Sequence, residues 1–434
     1  MGRHGEYRPH RSGIDMTSST SFATDNLIRH GTPAFRHTNL ALFAAGFATF
    51  GLLYCVQPLM PQFSQHYGIS AATSALSLSL TTGVLAFAML FAGGVSDALG
   101  RKVVMVASLL SSAALVLLTA LMPNWYALLT LRTLLGITLS GLPAVAMTYL
   151  SEEMHPESIG LGMGLYISGS AVGGMSGRLI AGVVADFAGW QAGVAAVGFI
   201  GLVCGVVFWK ALPASRHFHA QALQGRALLA RFAGMFRDRG LPWLFLEGFL
   251  LLGAFVTVYN YLGYRLLAPP YNLSQTKVGL IFAIYLVGTF SSAWMGHLAG
   301  KLGRRKVLWT AFALMLFGAV CTLMASLWLI ILGITAITFG FFGGHSIVSS
   351  WVGRRGGATK AQASSMYLFS YYMGSSVAGW SGGLFYAAHG WHGVALFVGA
   401  LVLVGLLIAL GLYRLPPLPQ LITPPAPMSK GAMP

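Results

Sequence analysis

The 434-residue sequence predicts an all-α membrane protein of twelve transmembrane helices, folded as two six-helix bundles with both termini in the cytoplasm. Three observations carry this expectation. Charged residues make up 8% of the chain against 56% hydrophobic, whereas a soluble domain carries about 25% charged residues. Twelve apolar runs reach the roughly 20 residues that a helix needs to cross the hydrocarbon layer, and no strand-like alternation competes with them. Landmarks of the first half recur in the second at a nearly constant offset. The same composition excludes a disordered chain. Charge this sparse also excludes a nucleic-acid partner, despite a formal net charge of +16.

Residues 1–38 form a basic tail with Arg3, Arg8, Arg11, Arg29 and Arg36. It has no short apolar segment followed by a cleavage site, so it reads as unprocessed and cytoplasmic, with Met16 as an alternative start. The spans fall at 39–63, 73–96, 102–122, 126–150, 158–184, 189–211, 242–266, 276–299, 306–326, 328–350, 363–387 and 391–413. The long break at 212–241, with Arg216, Arg226, Arg231, Arg237 and Arg239, divides the chain into an N-terminal bundle (39–211) and a C-terminal bundle (242–413). A Pro-rich tail, 414–434, follows. With the N-terminus inside, 22 of the 26 Lys and Arg fall on the cytoplasmic side, so the positive-inside rule places both termini in the cytoplasm. Trp125, Trp190, Trp391, Tyr67 and Tyr271 fall at the outer ends, where an interfacial aromatic belt is expected. Cys55, Cys204 and Cys321 lie inside apolar runs and suit packing rather than a disulfide framework or a metal site.

The duplication is read from four landmarks. Gly93 to Lys102 recurs as Gly296 to Arg305 at an offset of 203, and Gly169-Ser170-Ala171-Val172 recurs as Gly374-Ser375-Ser376-Val377 at 205. Tyr67-Gly68-Ile69-Ser70 matches Tyr271-Asn272-Leu273-Ser274 at 204, and Gly189-Trp190 matches Gly390-Trp391 at 201. Two parallel copies of a six-helix unit would face each other across a pseudo-two-fold axis along the membrane normal. A site between them can then open alternately to either side.

The motif Gly93-x-x-x-Asp97-x-x-Gly100-Arg101-Lys102, echoed by Gly296, Gly303, Arg304 and Arg305, resembles the loop motif of the major facilitator superfamily of secondary transporters. The resemblance extends over about 39–413. It implies a monomeric carrier of small organic molecules without a cofactor, coupled to protons, and a conformational latch at these residues that locks the cytoplasmic side. Two departures are informative: Ala98 stands where the family has Arg or Lys, and Gly300 replaces the acid of the second copy. The latch is therefore expected to be asymmetric and to rest on Asp97. In span 5, Gly164, Gly169, Gly173, Gly174, Gly177 and Gly182 resemble the family's glycine-rich antiporter motif, with Gly174 in the place of its Pro; ordinary small-residue packing fits equally.

One carboxylate lies clearly within a span. Glu247, about five residues into span 7, is a candidate for proton coupling or for binding a substrate ammonium group, because an intramembrane acid must face water, find a partner or hold a proton. The bland alternative is pairing with Arg237 or Arg239 at the inner surface. Arg132 and Arg178 sit at similar depth in spans 4 and 5. Arg132-x-x-x-Gly136 resembles the family's span-4 proton-coupling motif, and Arg178 either serves the same chemistry, holds an anionic group or snorkels to the outer interface. His345 in span 10 is either a titrating group or a hydrogen-bonded packing residue. In the superfamily, spans 1, 4, 7 and 10 line the cavity. The resemblance thus nominates Tyr54, Gln57, Thr138, Ser140, Tyr259, Asn260 and Thr338 as substrate-cavity residues.

Rival classes are weaker. The Gly-x-Ser-Gly form at Gly174 to Gly177, which a membrane serine protease uses, is repeated at Gly379 to Gly382, as packing glycines would be. No P-loop is present for an ATP-driven pump. The expectation is proton-coupled efflux through rocking of two bundles, with proton-coupled uptake as the alternative and an intramembrane enzyme or a non-transporting receptor as remote ones.

Overall fold

The computed structural model describes residues 27–216, 218 and 232–415. The Met16 start, the polar tail before residue 27, most of the basic linker and the Pro-rich tail after residue 415 lie outside the described residues. Among the described residues there is no strand, only an isolated bridge between Ile28 and Met154.

Among the described residues nine helices are long and apolar enough to cross a membrane. They are α1 (Pro33–Tyr67), α2 (Ala71–Leu99), α3 (Arg101–Thr119), α4 (Trp125–Glu153), α5 (Pro156–Ala211), α6 (Leu241–Leu267), α7 (Gln275–Leu302), α9 (Leu327–Arg355) and α10 (Lys360–Tyr413). Between α7 and α9 lies α8 (Arg304–Cys321), an 18-residue helix that opens on three basic residues. The 56-residue α5 is broken at Gly189 (φ 81°, ψ 166°), and the 54-residue α10 at His389 and Gly390 (φ 57°). Both breaks fall on the repeated Gly-Trp landmark.

The other landmarks take matching conformations too. Gly100 (φ 96°, ψ 143°) and Gly303 (φ 97°, ψ 131°) make the same turn between α2 and α3 and between α7 and α8. Gly68 and Asn272 are left-handed, and the Ser two residues on caps the next helix: Ser70 accepts from the Thr73 N–H at 3.1 Å and Ser274 from that of Lys277 at 3.3 Å. The latch glycines Gly100 and Gly303 are thus required by a positive φ that L side chains rarely adopt, not by close helix approach. A Cβ at Gly93, Gly100 or Gly303 would meet nothing within 4 Å, and one at Gly296 would meet only the Ser346 hydroxyl.

Close approach is confined to other glycines. Gly169, Gly173 and Gly177 of α5 lie against the backbone of Phe43, Phe47 and Gly51 in α1, and Gly374 of α10 lies against Phe249 in α6. A Cβ at Gly173 or at Gly374 would fall 2.0 Å from a carbonyl oxygen. These pairings, α1 on α5 and α6 on α10, are the most extensive in the molecule, one in each half. The halves meet where α2 packs on α10 and α5 on α7.

The loops gather at two ends. At the basic end, Arg101 reaches Glu152, Lys102 donates to the Leu212 carbonyl at 2.5 Å, and Ile28 bonds Glu153 and His155. In the second half, Arg305 donates to the Leu415 carbonyl and Arg355 pairs with Asp238. At the opposite, aromatic end, Phe63, Tyr67, Trp125 and Trp190 cluster, and Arg265 lies over Trp391 while donating to the Thr322 and Met324 carbonyls. The expected interfacial belt is corrected here. Trp125, Trp190 and Trp391 are 6%, 4% and 7% exposed and pin the loops from within, whereas Tyr126, Phe187 and Trp328 are among the exposed aromatics.

Replacing Gly173 by Ala forces the α1–α5 seam apart. Overpacking of this kind costs about 1–3 kcal/mol, so the thermal midpoint of the purified protein should fall. Gly164→Ala, where a Cβ meets nothing within 4 Å, should leave it unchanged. Equal midpoints for the two variants would contradict the packing assigned to this seam.

Candidate functional site

Helix α1 is interrupted where the sequence reads Tyr54-Cys55-Val56-Gln57-Pro58. Pro58 has no N–H to donate, and the chain passes through a 3-10 turn at Gln57–Leu59 before resuming as a helix. Arg132, fully buried, fills the gap. Its guanidinium donates to the carbonyls of Leu52 (3.2 Å) and Leu53 (2.7 Å), and its Nε to that of Ser77 (2.8 Å). A cation at the end of a helical segment is the favoured sign there. Arg132 thus braces the interrupted helix from α4 and meets no carboxylate among the described residues.

The same interruption turns Gln57 to the centre of the molecule. Its Oε1 accepts from Arg178 Nε at 2.6 Å, and its Nε2 donates to Asn260 Oδ1 at 2.7 Å, across the seam between the halves. Arg178 also donates to the Gly174 carbonyl at 2.5 Å, and Asn260 to that of Gly379 at 3.4 Å. Gln57 and Asn260 occupy equivalent positions in the repeat, as do Gly174 and Gly379, so the chain of bonds is close to symmetric. Arg178 is 2% exposed; it does not snorkel. Its guanidinium carbon lies 4.1 Å from the centre of the Tyr54 ring, 4.8 Å from Tyr285 and 5.3 Å from Phe282.

Other ties between the halves lie toward the aromatic end. Tyr264 donates to the Met60 carbonyl at 2.9 Å and meets the Ser64 hydroxyl at 2.6 Å, and Gln275 donates to the Pro58 carbonyl. Asp186 accepts from the Thr276 hydroxyl (2.6 Å) and N–H (3.1 Å) at the start of α7. Those bonds, the hydroxyl's foremost, hold the Asp186 carboxyl below its ordinary range. Among the described residues no hydrogen bond joins the halves at the basic end.

A second polar group lies within the C-terminal half. Glu247 is fully buried, and neither of its carboxylate oxygens has a hydrogen-bond partner among the described residues. Pairing with Arg237 or Arg239 does not occur. The next residue, Gly248, abuts the Tyr367 ring, and the Tyr367 hydroxyl is 2.8 Å from His345 Nδ1. His345 is therefore hydrogen-bonded to Tyr367, stacked on its ring at 5.7 Å, and tilted against Tyr371 at 4.7 Å. From there an aromatic wall runs through Phe341, stacked on Phe255 at 3.8 Å, to Tyr259, whose hydroxyl meets that of Thr338 at 2.8 Å, and on to Tyr285.

Of the residues nominated from the sequence, Tyr54, Gln57, Arg178 and Asn260 come together, with Tyr259 and Thr338 beside them. Thr138 does not join them: its hydroxyl faces Ser112 of α3 at 2.8 Å, and Ser140 bonds its own helix. Tyr285, Phe282, Tyr367 and Tyr371 were missed, because a membrane helix is rich in aromatics and its sequence does not say which ring faces the partner half. At the loop motif, Arg101 pairs with Asp97 (2.5 Å) and, through two bonds, with Glu152 (2.8 and 3.0 Å). The second copy has no such acid: Arg304 donates to the Ser350 hydroxyl at 2.9 Å. Glu152 was visible in sequence only as one of an acidic pair after span 4.

Two similar helical halves, built of helices long and apolar enough to cross a membrane and joined round a buried polar centre, have the architecture of a polytopic membrane carrier. The chain belongs to the Major Facilitator Superfamily, whose sequence model matches it over residues 42–271 and again over 250–431. It is 49% identical over 399 residues, 92% of this chain and 96% of the relative, to the inner membrane transport protein YnfM of Escherichia coli. It is 46% identical over 379 residues, 87% of this chain and 94% of the relative, to the uncharacterized MFS-type transporter YybF of Bacillus subtilis. Among solved structures, a bacterial homologue of the human lysosomal transporter Spinster superposes with a TM-score of 0.71 at 15% identity, covering 88% of this chain and 96% of that one. The protein is thus a multi-pass membrane transporter and not an enzyme.

Gln57 is the central link of the polar chain, so Gln57→Met leaves both Arg178 Nε and Asn260 Oδ1 without a partner, whereas Asn260→Ala leaves the Arg178 bond in place. Each buried group so orphaned costs about 1–3 kcal/mol, more when charged. The thermal midpoint should drop further for Gln57→Met than for Asn260→Ala. The reverse order would contradict the arrangement.

Proposed function

We propose that this transporter exports small organic molecules across a bacterial inner membrane in exchange for protons, as a monomer with both termini in the cytoplasm. Counting α5 and α10 as two crossings each at their breaks, and adding α8, gives twelve crossings in two sets of six. The basic end is then the cytoplasmic end. The Asp186–Thr276 and Gln57–Asn260 ties between the halves then hold the outer side closed.

The observation that carries proton coupling is Glu247: fully buried, within a span, and without a hydrogen-bond partner for either oxygen among the described residues. An acid so placed has no counter-charge among the described residues, and a bound proton removes the cost of burying its charge. Tyr367 and His345 beside it supply hydroxyl and imidazole groups on the route toward the centre. Exchange rather than co-transport is supported by the α1–α5 seam, where Gly169, Gly173 and Gly177, the residues that resemble the antiporter motif, leave no room for a Cβ. The Arg101–Asp97–Glu152 cluster serves as the cytoplasmic latch; it rests on acids in the first copy alone.

In everted vesicles carrying an imposed ΔpH, a screen of small organic compounds should reveal accumulation that collapses with an uncoupler, and Glu247→Gln should abolish its dependence on ΔpH. Uptake confined to right-side-out vesicles would overturn export, and unchanged ΔpH dependence in Glu247→Gln would remove Glu247 from coupling.

A further inference from the structure

Arg178 is a full positive charge at the centre of the molecule with no counter-ion. Among the described residues no carboxylate lies within salt-bridge distance of it, while Arg101 and Arg355 are both paired. A guanidinium has five N–H donors, and this one spends two, on Gln57 and on the Gly174 carbonyl. Three donors remain, one on Nη1 and two on Nη2, and the Nη1–Nη2 edge is one that binds a carboxylate through two parallel bonds. The site is built rather than incidental: Gln57 fixes the Nε edge, and the Tyr54 ring covers one face at 4.1 Å. Tyr285 and Phe282, from the opposite half, bring further rings within 4.8 and 5.3 Å. Phe50, beside Tyr54, and Phe342, beside Tyr285, keep part of their surface open.

We propose that Arg178 is a substrate-binding residue and that the transported class is aromatic organic anions bearing a single carboxylate, the carboxylate held by the free edge of Arg178 and the ring by the surrounding aromatic side chains. The charge balance favours such a cargo. An anion neutralises a cation that the protein otherwise holds unpaired away from water, and both halves of the molecule contribute rings around Arg178, so occupancy is felt at the seam. Anion export is also driven by a negative-inside potential in the same sense as proton inflow. The assignment rests on the transport reading given above, but it concerns binding and not coupling.

The test is equilibrium binding of radiolabelled benzoate to the purified full-length protein in detergent, with no gradient, using benzamide as the uncharged isostere. Saturable benzoate binding is expected, with benzamide competing at least tenfold more weakly. Arg178→Gln, checked for a monodisperse helical fold, should lose at least tenfold in affinity, and Arg178→Lys should retain part of it. Absence of saturable benzoate binding to the unaltered protein, equal competition by benzamide, or unchanged affinity in folded Arg178→Gln would each overturn the proposal. The comparison of benzoate with benzamide needs no variant, so it decides the question even if Arg178→Gln does not fold. Since no gradient is present, failure here leaves proton coupling through Glu247 standing, and failure of coupling leaves this result unaffected.

Discussion

The hydrogen bond from Gln57 to Asn260 is the interaction on which the rest of the arrangement turns. It joins equivalent positions of a duplicated unit across the seam between the halves at 2.7 Å. Because Gln57 also holds Arg178, the same link orients a buried charge. The interruption of α1 at Pro58 is what points Gln57 inward, and Arg132 is what makes that interruption affordable, by donating to the carbonyls of Leu52 and Leu53. Helix geometry, charge placement and closure of the aromatic end thus depend on one another through a single glutamine.

Duplication supplies the scaffold, and divergence supplies the chemistry. The turns at Gly100 and Gly303, the breaks at Gly189 and Gly390 and the caps at Ser70 and Ser274 are matched in both halves. The polar groups are not. Within the spans, the first half holds the buried cations Arg132 and Arg178, and the second holds the buried acid Glu247. The loop latch follows the same rule: Arg101 finds Asp97 and Glu152, while Arg304 finds a serine hydroxyl. On the proposed function, a symmetric frame with asymmetric charges lets the two halves move as similar bodies while each responds to a different ligand.

Much of the fold was legible because hydropathy and repeats record constraints the bilayer imposes along the chain. The run lengths located the helices, and the constant offset located the turns that both halves share. What the sequence could not carry was direction around each helix. Thr138 and Arg178 both look like intramembrane polar residues facing a cavity, yet Thr138 faces α3 and Arg178 faces the seam. Trp125 and Trp190 look like interfacial anchors, yet they are buried while Tyr126 is 81% exposed. In a chain where every helix is apolar on all sides, the amphipathic contrast that reveals a buried face in a soluble protein is missing. Tyr285 and Tyr371 escaped notice for that reason, and Glu152 because its partner lies 51 residues away.

The central claim is that the Gln57–Asn260 link holds the aromatic end shut, so that its loss lets the halves part there and draw together at the basic end. Spin labels at Phe187 and Lys277, which flank the Asp186–Thr276 contact, report one end; labels at Val95 and Leu302 report the other, in a background lacking Cys55, Cys204 and Cys321. Electron–electron distance distributions for the unaltered centre and for Asn260→Ala test the claim most directly. Loss of the link should add a longer distance between 187 and 277 and a shorter one between 95 and 302. Distributions that stay the same at both ends would contradict it.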